Sequence, residues 1–193
     1  MDHLDHVALI RSGVEGGGFR WLELGAGEGA FTLALADVLG PSGEIQTIDR
    51  DGRALAVGAD AVRRRFPGVR LAATVGDFTK DLPDGPFDGV LGANSLHFVR
   101  DRRFVLAAVR SVLRPGGKLV VVEYDADGGN PWVPYPFSFR RWSEEAAAAG
   151  FVDVRQLHRV PSRFLGGIYG AVVSSPAPLG PPEALDPATT MRP

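Results

Sequence analysis

Apolar positions along the chain follow two different patterns. Short runs with many branched or aromatic residues predict buried strands, and longer stretches with a three-to-four-residue period predict amphipathic helices. The predicted strands cover residues 19–24, 44–49, 69–75, 87–93 and 118–124. Three predicted helices cover residues 2–11, 30–39 and 52–66. A fourth follows Asp101, which can cap it, and ends before Arg114, and a fifth ends at Ala149. Strands and helices therefore alternate along most of the chain.

The last two predicted strands have a different connection. Residues 151–160 and 164–173 are separated by only three residues, which is too short for a parallel crossover, so they must pair antiparallel. The alternation before them predicts a doubly wound α/β sheet. We therefore expect seven strands, mostly parallel, with an antiparallel C-terminal pair. Residues 1–173 are predicted to form a single domain, and residues 174–193, rich in proline and small residues, a disordered tail.

Composition narrows the possible partners. The chain of 193 residues is 45% hydrophobic and 23% charged, which is typical of a globular protein. A net charge of −2 disfavours electrostatic binding to nucleic acid or an anionic membrane. The absence of cysteine excludes disulfides and thiolate chemistry. The polar first residues and the lack of a membrane-length apolar run predict a cytoplasmic protein.

A glycine-rich turn follows the first predicted strand and begins the next helix. It reads Gly25-Ala26-Gly27-Glu28-Gly29-Ala30, and such turns hold charged or nucleotide-like cofactors at a helix N-terminus. Asp49 ends the second strand at about the 20-residue spacing that suits a ribose-binding acid. These features alone leave two classes open, the NAD(P)-dependent oxidoreductases and the enzymes that use S-adenosylmethionine (SAM).

Three further motifs favour the second class. Glu23 precedes the glycines to give Glu-x-Gly-x-Gly-x-Gly, Gly76-Asp77-Phe78 ends the third strand, and Arg114-Pro115-Gly116-Gly117 precedes the fifth. Together with the antiparallel ending, they resemble the class I SAM-dependent methyltransferases over residues 19–173. Within that family the chain is most similar to small-molecule methylases of the quinone-biosynthesis type.

The resemblance implies a Rossmann-like methyltransferase fold with SAM as cofactor and S-adenosylhomocysteine (SAH) as product. It implies that Gly25 and Gly27 pass along the methionine part of SAM and that Glu23 lies near its amino group. Asp49 is then expected at the ribose. The adenine is expected between Arg50 on one side and Asp77 and Phe78 on the other, and Asn94 is expected to line the methyl-transfer site. The implied cofactor-binding residues are Glu23, Gly25, Ala26, Gly27, Asp49, Arg50, Asp77, Phe78 and Asn94.

A general base is needed only if the methyl acceptor must lose a proton. His97 is the leading candidate, because it follows the fourth strand and an imidazole titrates near neutrality. The alternative is that His97 packs or caps the next turn. His6, Tyr124 and Asp125 are weaker candidates. His3 and His6 have a metal-like spacing but no evident carboxylate partner, so no metal site is predicted.

Missing motifs narrow the acceptor to a small organic molecule. The fourth strand does not end in the Asn/Asp-Pro-Pro-Tyr signature of nucleic-acid amino-methylases, and no carboxylates follow it to hold a catechol-binding metal. The helical cap before the first strand is expected to be minimal. The first helix and the aromatic loop 125–139, with Trp132, Tyr135, Phe137 and Trp142, are predicted to wall the acceptor site. Alternatively these aromatics pack the loop or form a homodimer contact. A separate alternative, suggested by the thin cover over the acceptor site, is that the chain is a non-catalytic SAM-binding protein.

Overall fold

The strands and helices follow one another in the predicted order in residues 1–162 and 164–177, which the computed structural model describes. The strands are β1 (Arg20–Leu24), β2 (Glu44–Asp49), β3 (Arg70–Val75), β4 (Phe87–Ala93), β5 (Leu113–Tyr124), β6 (Val152–Pro161) and β7 (Gly167–Ser174). The helices are α1 (His3–Val14), α2 (Ala30–Leu39), α3 (Gly52–Arg65), α4 (Arg103–Val112) and α5 (Phe139–Ala148). The predicted α/β class is confirmed.

The strands form one sheet in the order β3-β2-β1-β4-β5-β7-β6. The first five strands are parallel, and β7 lies antiparallel between β5 and β6. The chain adds strands outward from β1 in one direction and from β4 in the other, so the strand order reverses between these two neighbours. In open α/β sheets ligands bind beyond the carboxyl ends of the strands at such a reversal. Leu24 and Gly92 are paired there, which brings Gly25 and Asn94 to the same edge.

The helices divide between the two faces of the sheet. α1, α2 and α3 pack on one face, where Ile10, Leu35 and Val62 are fully buried. α4 and α5 pack on the other, where Val109 and Trp142 are buried. With both faces covered, the central strands read as nearly continuous apolar runs rather than alternating ones.

Several local predictions need correction. The N-cap residue of α4 is Arg102 and not Asp101. The Asp101 carboxylate nevertheless accepts a hydrogen bond from the Arg103 N–H at 3.2 Å. The helical period of apolar residues predicts that Phe104 lies on the buried face of α4, but this side chain is 77% exposed. β5 begins at Leu113 rather than at residue 118, because Leu113 pairs with Phe87 before the strand register shifts.

The predicted disordered tail falls mostly outside the described residues. Ser174 still belongs to β7, and residues 178–193 are not described. Among the residues that are described, no helix combines the length and hydropathy needed to cross a membrane.

Candidate functional site

Three adjoining cavities open at the carboxyl end of the sheet, and Asn94 lines all of them. The first has a volume of about 440 Å³ and contains Asp49 and Phe78 in its wall. The second, of about 480 Å³, is lined by Glu23 and His6. The third has a volume of about 590 Å³. We call them the Asp49, Glu23 and His97 cavities.

The glycine turn forms the boundary between the Asp49 and Glu23 cavities. Gly25 lines both and has a φ of +70°, and a Cβ added there would lie 2.6 Å from the Cβ of Ser95. Glycine at this position therefore allows the left-handed backbone and keeps the two turns close together. The Gly25 N–H donates to the Ile48 carbonyl at 2.8 Å, and the Gly27 N–H donates to Asp49 Oδ2 at 2.8 Å.

Glu23 is a buried carboxyl group in the wall of the Glu23 cavity. Burial raises the pKa of this carboxyl to about 8, although the Thr32 hydroxyl donates a hydrogen bond to Oε2 at 2.6 Å that opposes the rise. His6 projects from α1 into the same cavity, and its ring lies 4.6 Å from the Phe31 ring. Burial lowers the pKa of His6, so the uncharged imidazole is favoured there.

Asp49 and Phe78 line the Asp49 cavity together with Arg50. Asp77, predicted to face the adenine, holds Arg50 through a 2.8 Å contact from Oδ1 to Nη2. The hydrogen bonds from Thr79 and the adjacent guanidinium of Arg50 lower the pKa of Asp77, so this carboxylate is ionised. Asp77 Oδ1 accepts these hydrogen bonds, so Asp77 Oδ2 is left for another donor. Lys80 Nζ lies 3.7 Å from Oδ2.

Two polar atoms beside these cavities are buried without a partner. Neither Asn94 Oδ1 nor Ser95 Oγ makes a hydrogen bond within the described part of the chain. Asn94 also has a φ of +50°, an uncommon backbone angle for a residue other than glycine. Unpaired buried polar groups are costly and call for an explanation such as a ligand or a water. The predicted SAM-contacting residues fit a polar cofactor at this point.

His97 lies on a short 3-10 helix at Leu96–Phe98, and both the histidine and its partner Glu123 are buried. His97 Nδ1 lies 2.7 Å from Glu123 Oε2. Glu123 Oε1 accepts hydrogen bonds from the backbone N–H groups of Leu96 and His97, at 3.0 and 3.2 Å. The histidine also lines the His97 cavity together with Tyr124 and Trp132. The alternative of a packed histidine therefore holds for one edge of the ring, while the residue still contributes to the cavity wall.

The two weaker candidates on and after β5 have different environments. Burial and the negative charge of Glu123 raise the pKa of Tyr124, which keeps its phenol protonated near neutral pH. Asp125 lies outside the three cavities. Its carboxylate accepts from the Phe139 N–H at 3.1 Å and pairs with Arg159 at 3.3 Å, so it closes the base of the loop. This geometry does not support a catalytic role for Asp125.

The aromatic loop contributes less to the site than its composition suggests. Trp132 is 78% exposed and lines the His97 cavity with Asn130 and Val133. Phe137 and Trp142 instead pack against each other in the core, with ring centroids 5.8 Å apart. The prediction that these two residues wall the acceptor site is wrong, because both side chains are fully buried in the core and Trp142 lies on α5 itself. The loop is tied to the His97 turn where the Tyr135 N–H donates to the His97 carbonyl at 3.0 Å.

The most important residue that the sequence reasoning missed is Glu123. It ends the run Leu119-Val-Val-Val-Glu123, and a carboxylate in a strand buried on both faces needs hydrogen-bond donors. That signal was present in the sequence. Thr32 and Ser95 were also missed, and no local pattern marks either of them. Phe98 and Phe164 complete the wall of the His97 cavity and were not predicted.

The fold and the site together define an α/β protein with a site suited to a nucleotide-like cofactor. A family model described as a methyltransferase domain matches residues 16–160. The chain belongs to this methyltransferase-domain family. The resemblance inferred from Glu23, the glycine turn and the Gly76-Asp77-Phe78 motif is thereby confirmed at the level of the family.

Named relatives agree with that assignment. The chain is 34% identical over 134 residues to the ubiquinone/menaquinone biosynthesis C-methyltransferase UbiE of Ectopseudomonas mendocina, covering 66% of this chain and 52% of the relative. The corresponding protein of Bordetella avium is 34% identical over 145 residues, covering 72% of this chain and 56% of the relative. This chain thus spans about half the length of the curated relatives that it matches.

A solved structure supports the same fold. The phosphoethanolamine N-methyltransferase 2 of Haemonchus contortus, in complex with phosphomonomethylethanolamine and SAH, superposes with a TM-score of 0.72 at 15% identity. The match covers 90% of this chain and 52% of that protein. At this identity the likeness establishes the Rossmann-like fold and no finer property.

Proposed function

We propose that this protein transfers the methyl group of SAM to a small-molecule acceptor by direct displacement. The observation that carries the proposal is the position of Asn94, which lines the Asp49, Glu23 and His97 cavities. A SAM molecule lying across the first two cavities would present its sulfonium, which joins the adenosine and methionine parts, at Asn94, next to an acceptor in the third. The family assignment favours this function over an NAD(P)-dependent oxidoreductase.

The residues of the chain would divide the cofactor between them. Asp49 would accept hydrogen bonds from the ribose hydroxyls, and Phe78 would pack beside the adenine. Asp77 Oδ2 would accept from the adenine amino group, with Arg50 flanking the ring. Glu23 would receive the ammonium group at the other end of the cofactor.

SAM supplies a methyl group already activated on a sulfonium, so the protein mainly has to align the acceptor and exclude water. The walls of the His97 cavity suit a flat, largely apolar acceptor. They are formed by Phe98, Tyr124, Trp132 and Phe164, with the polar groups of Asn94, His97 and Asn130 among them.

The proposed cellular setting follows from charge and surface. We also propose that the protein acts in the cytoplasm and that it does not bind nucleic acid, the latter because its net charge is −2. A homodimer is also proposed, because Trp132 and Phe164 are 78% and 74% exposed beside the His97 cavity. Cell fractionation tests the location, and the concentration dependence of the sedimentation coefficient tests the dimer.

Incubation with SAM carrying a ¹³C-labelled methyl group tests the transfer itself. The purified protein is mixed with a cell extract of small molecules, and mass spectrometry follows the label. We expect at least one labelled product with the wild-type protein and much less of it with Asp49→Ala at the same SAM concentration, kept below saturation of the variant. Binding of SAH without any labelled product would instead favour a non-catalytic SAM-binding protein.

A further inference from the structure

The contact between His97 and Glu123 determines which edge of the imidazole faces the His97 cavity. Glu123 is completely buried and offers both oxygens to the 3-10 helix, Oε1 to two backbone N–H groups and Oε2 to His97 Nδ1 at 2.7 Å. A carboxylate oxygen can only accept, so Nδ1 must carry the proton in this contact. In a neutral imidazole the other nitrogen, Nε2, then has its lone pair free.

Nothing in the described residues occupies that lone pair. Nε2 has no protein partner among the residues that the structure describes, and it is not among their fully buried unpaired atoms. The ring packs between Phe98 and Tyr124, with centroids 4.3 and 5.8 Å away, which prevents it from turning over freely. The titratable groups in contact with the ring are Glu123 and Tyr124, both from β5.

We propose that Glu123 is a positioning residue that fixes the tautomer of His97, so that His97 Nε2 accepts a proton from the methyl acceptor. The inference rests on the proposed methyl transfer and narrows its substrate class. The acceptor carries a weakly acidic O–H or N–H group at the atom that becomes methylated. An acceptor that carries no ionisable proton would make no use of this arrangement.

The step balances as a single displacement with one proton transfer. A lone pair on the acceptor oxygen or nitrogen forms the bond to the methyl carbon, and the carbon–sulfur bond breaks with its electrons going to sulfur. The acceptor proton passes to His97 Nε2, and the imidazolium formed is stabilised by the adjacent Glu123 carboxylate. Release of that proton to water restores the neutral imidazole.

Glu123→Gln tests the proposal with almost no change of shape. The amide oxygen can still accept from the two backbone N–H groups, but the amide nitrogen would then donate to Nδ1 and move the proton of the ring to Nε2. Long-range ¹H–¹⁵N correlation spectra of His97 report this tautomer directly, without any ligand. We expect a protonated Nδ1 in the wild-type protein and a protonated Nε2 in the variant. The same tautomer in both proteins would overturn the proposal.

A second measurement uses 4-nitrophenol, whose ionised form absorbs visible light, with SAH present and at a pH where the free phenol is largely protonated. We expect the phenolate band to increase on binding to the wild-type protein and to be lost with Glu123→Gln and His97→Gln. 4-Nitroanisole, which has no acidic proton, is the control probe. An unchanged 4-nitrophenol spectrum with the wild-type protein would contradict the assignment of Nε2 as proton acceptor.

SAH binding separates this inference from the proposed function. We expect the dissociation constant for SAH to change less than about threefold in Glu123→Gln, while methyl transfer to an acceptor falls about a hundredfold or more, as for the loss of a general base. A wild-type protein that fails to bind SAH would refute the methyltransferase proposal. Normal SAH binding with an unchanged tautomer would refute only the role of Glu123.

Discussion

The raised pKa of Glu23 gives the cofactor site a measurable pH dependence. With a pKa of about 8, the buried carboxyl is about one-tenth ionised at pH 7 and about one-hundredth ionised at pH 6. If only the ionised form receives the ammonium group of the cofactor, the apparent dissociation constant is the intrinsic value divided by the ionised fraction. Affinity for SAH should therefore rise about tenfold, or about 1.4 kcal/mol, from pH 6 to pH 7.

Isothermal titration calorimetry with SAH tests this expectation. Titrations in buffers of different ionisation enthalpy should show that nearly one proton is released for each SAH bound at pH 7. Glu23→Gln should bind SAH more weakly and without this pH dependence. Thr32→Val is the matched variant, because removing its hydrogen bond should raise the pKa of Glu23 further and shift the whole affinity curve to higher pH. If the SAH affinity and proton release of the wild-type protein match those of Glu23→Gln, then Glu23 does not receive the ammonium group of the cofactor.

Three further substitutions test other parts of the structure. Asp49→Ala should weaken SAH binding by about 2 kcal/mol or more in calorimetry, since hydrogen bonds to a charged group are lost; an unchanged affinity would contradict the ribose assignment. Gly25→Ala should lower both the melting temperature and SAH affinity more than Gly27→Ala, because both glycines have positive φ but only at Gly25 does an added Cβ meet another side chain; equal effects would show that the close approach is unimportant. Arg102→Met should cost about 1–3 kcal/mol of unfolding free energy in urea, since it breaks a bidentate ion pair between the buried Arg102 guanidinium and the partly exposed Glu145 carboxylate, while the exposed Arg103→Met should cost less than about 1 kcal/mol; similar midpoints for the two variants would argue against a structural role for Arg102.

The cofactor side of the site could be predicted because its signals are local in sequence. The left-handed turn at Gly25 requires glycine, and Asp49 ends a strand at the edge where parallel strands present their ligands. Alternation of strands and helices then leaves few topologies, which is why the sheet was anticipated. These features depend on backbone geometry that residue type reveals directly.

The acceptor side could be predicted only in part, because its contacts join distant segments. Glu123 and His97 are 26 residues apart, and no spacing rule links a strand residue to the turn after its neighbouring strand. Loop aromatics are equally ambiguous, since composition does not distinguish Trp132 in a cavity wall from Trp142 in the core. Three-dimensional packing decides both cases.

Calorimetric titration with SAH and, separately, with NADH determines which class of cofactor the site binds. We expect that the wild-type protein binds one SAH per chain, that Asp49→Ala loses most of this affinity, and that NADH produces no binding heat. Saturable binding of NADH together with no detectable binding of SAH would contradict the assignment of the site around Asn94 to a SAM-type cofactor.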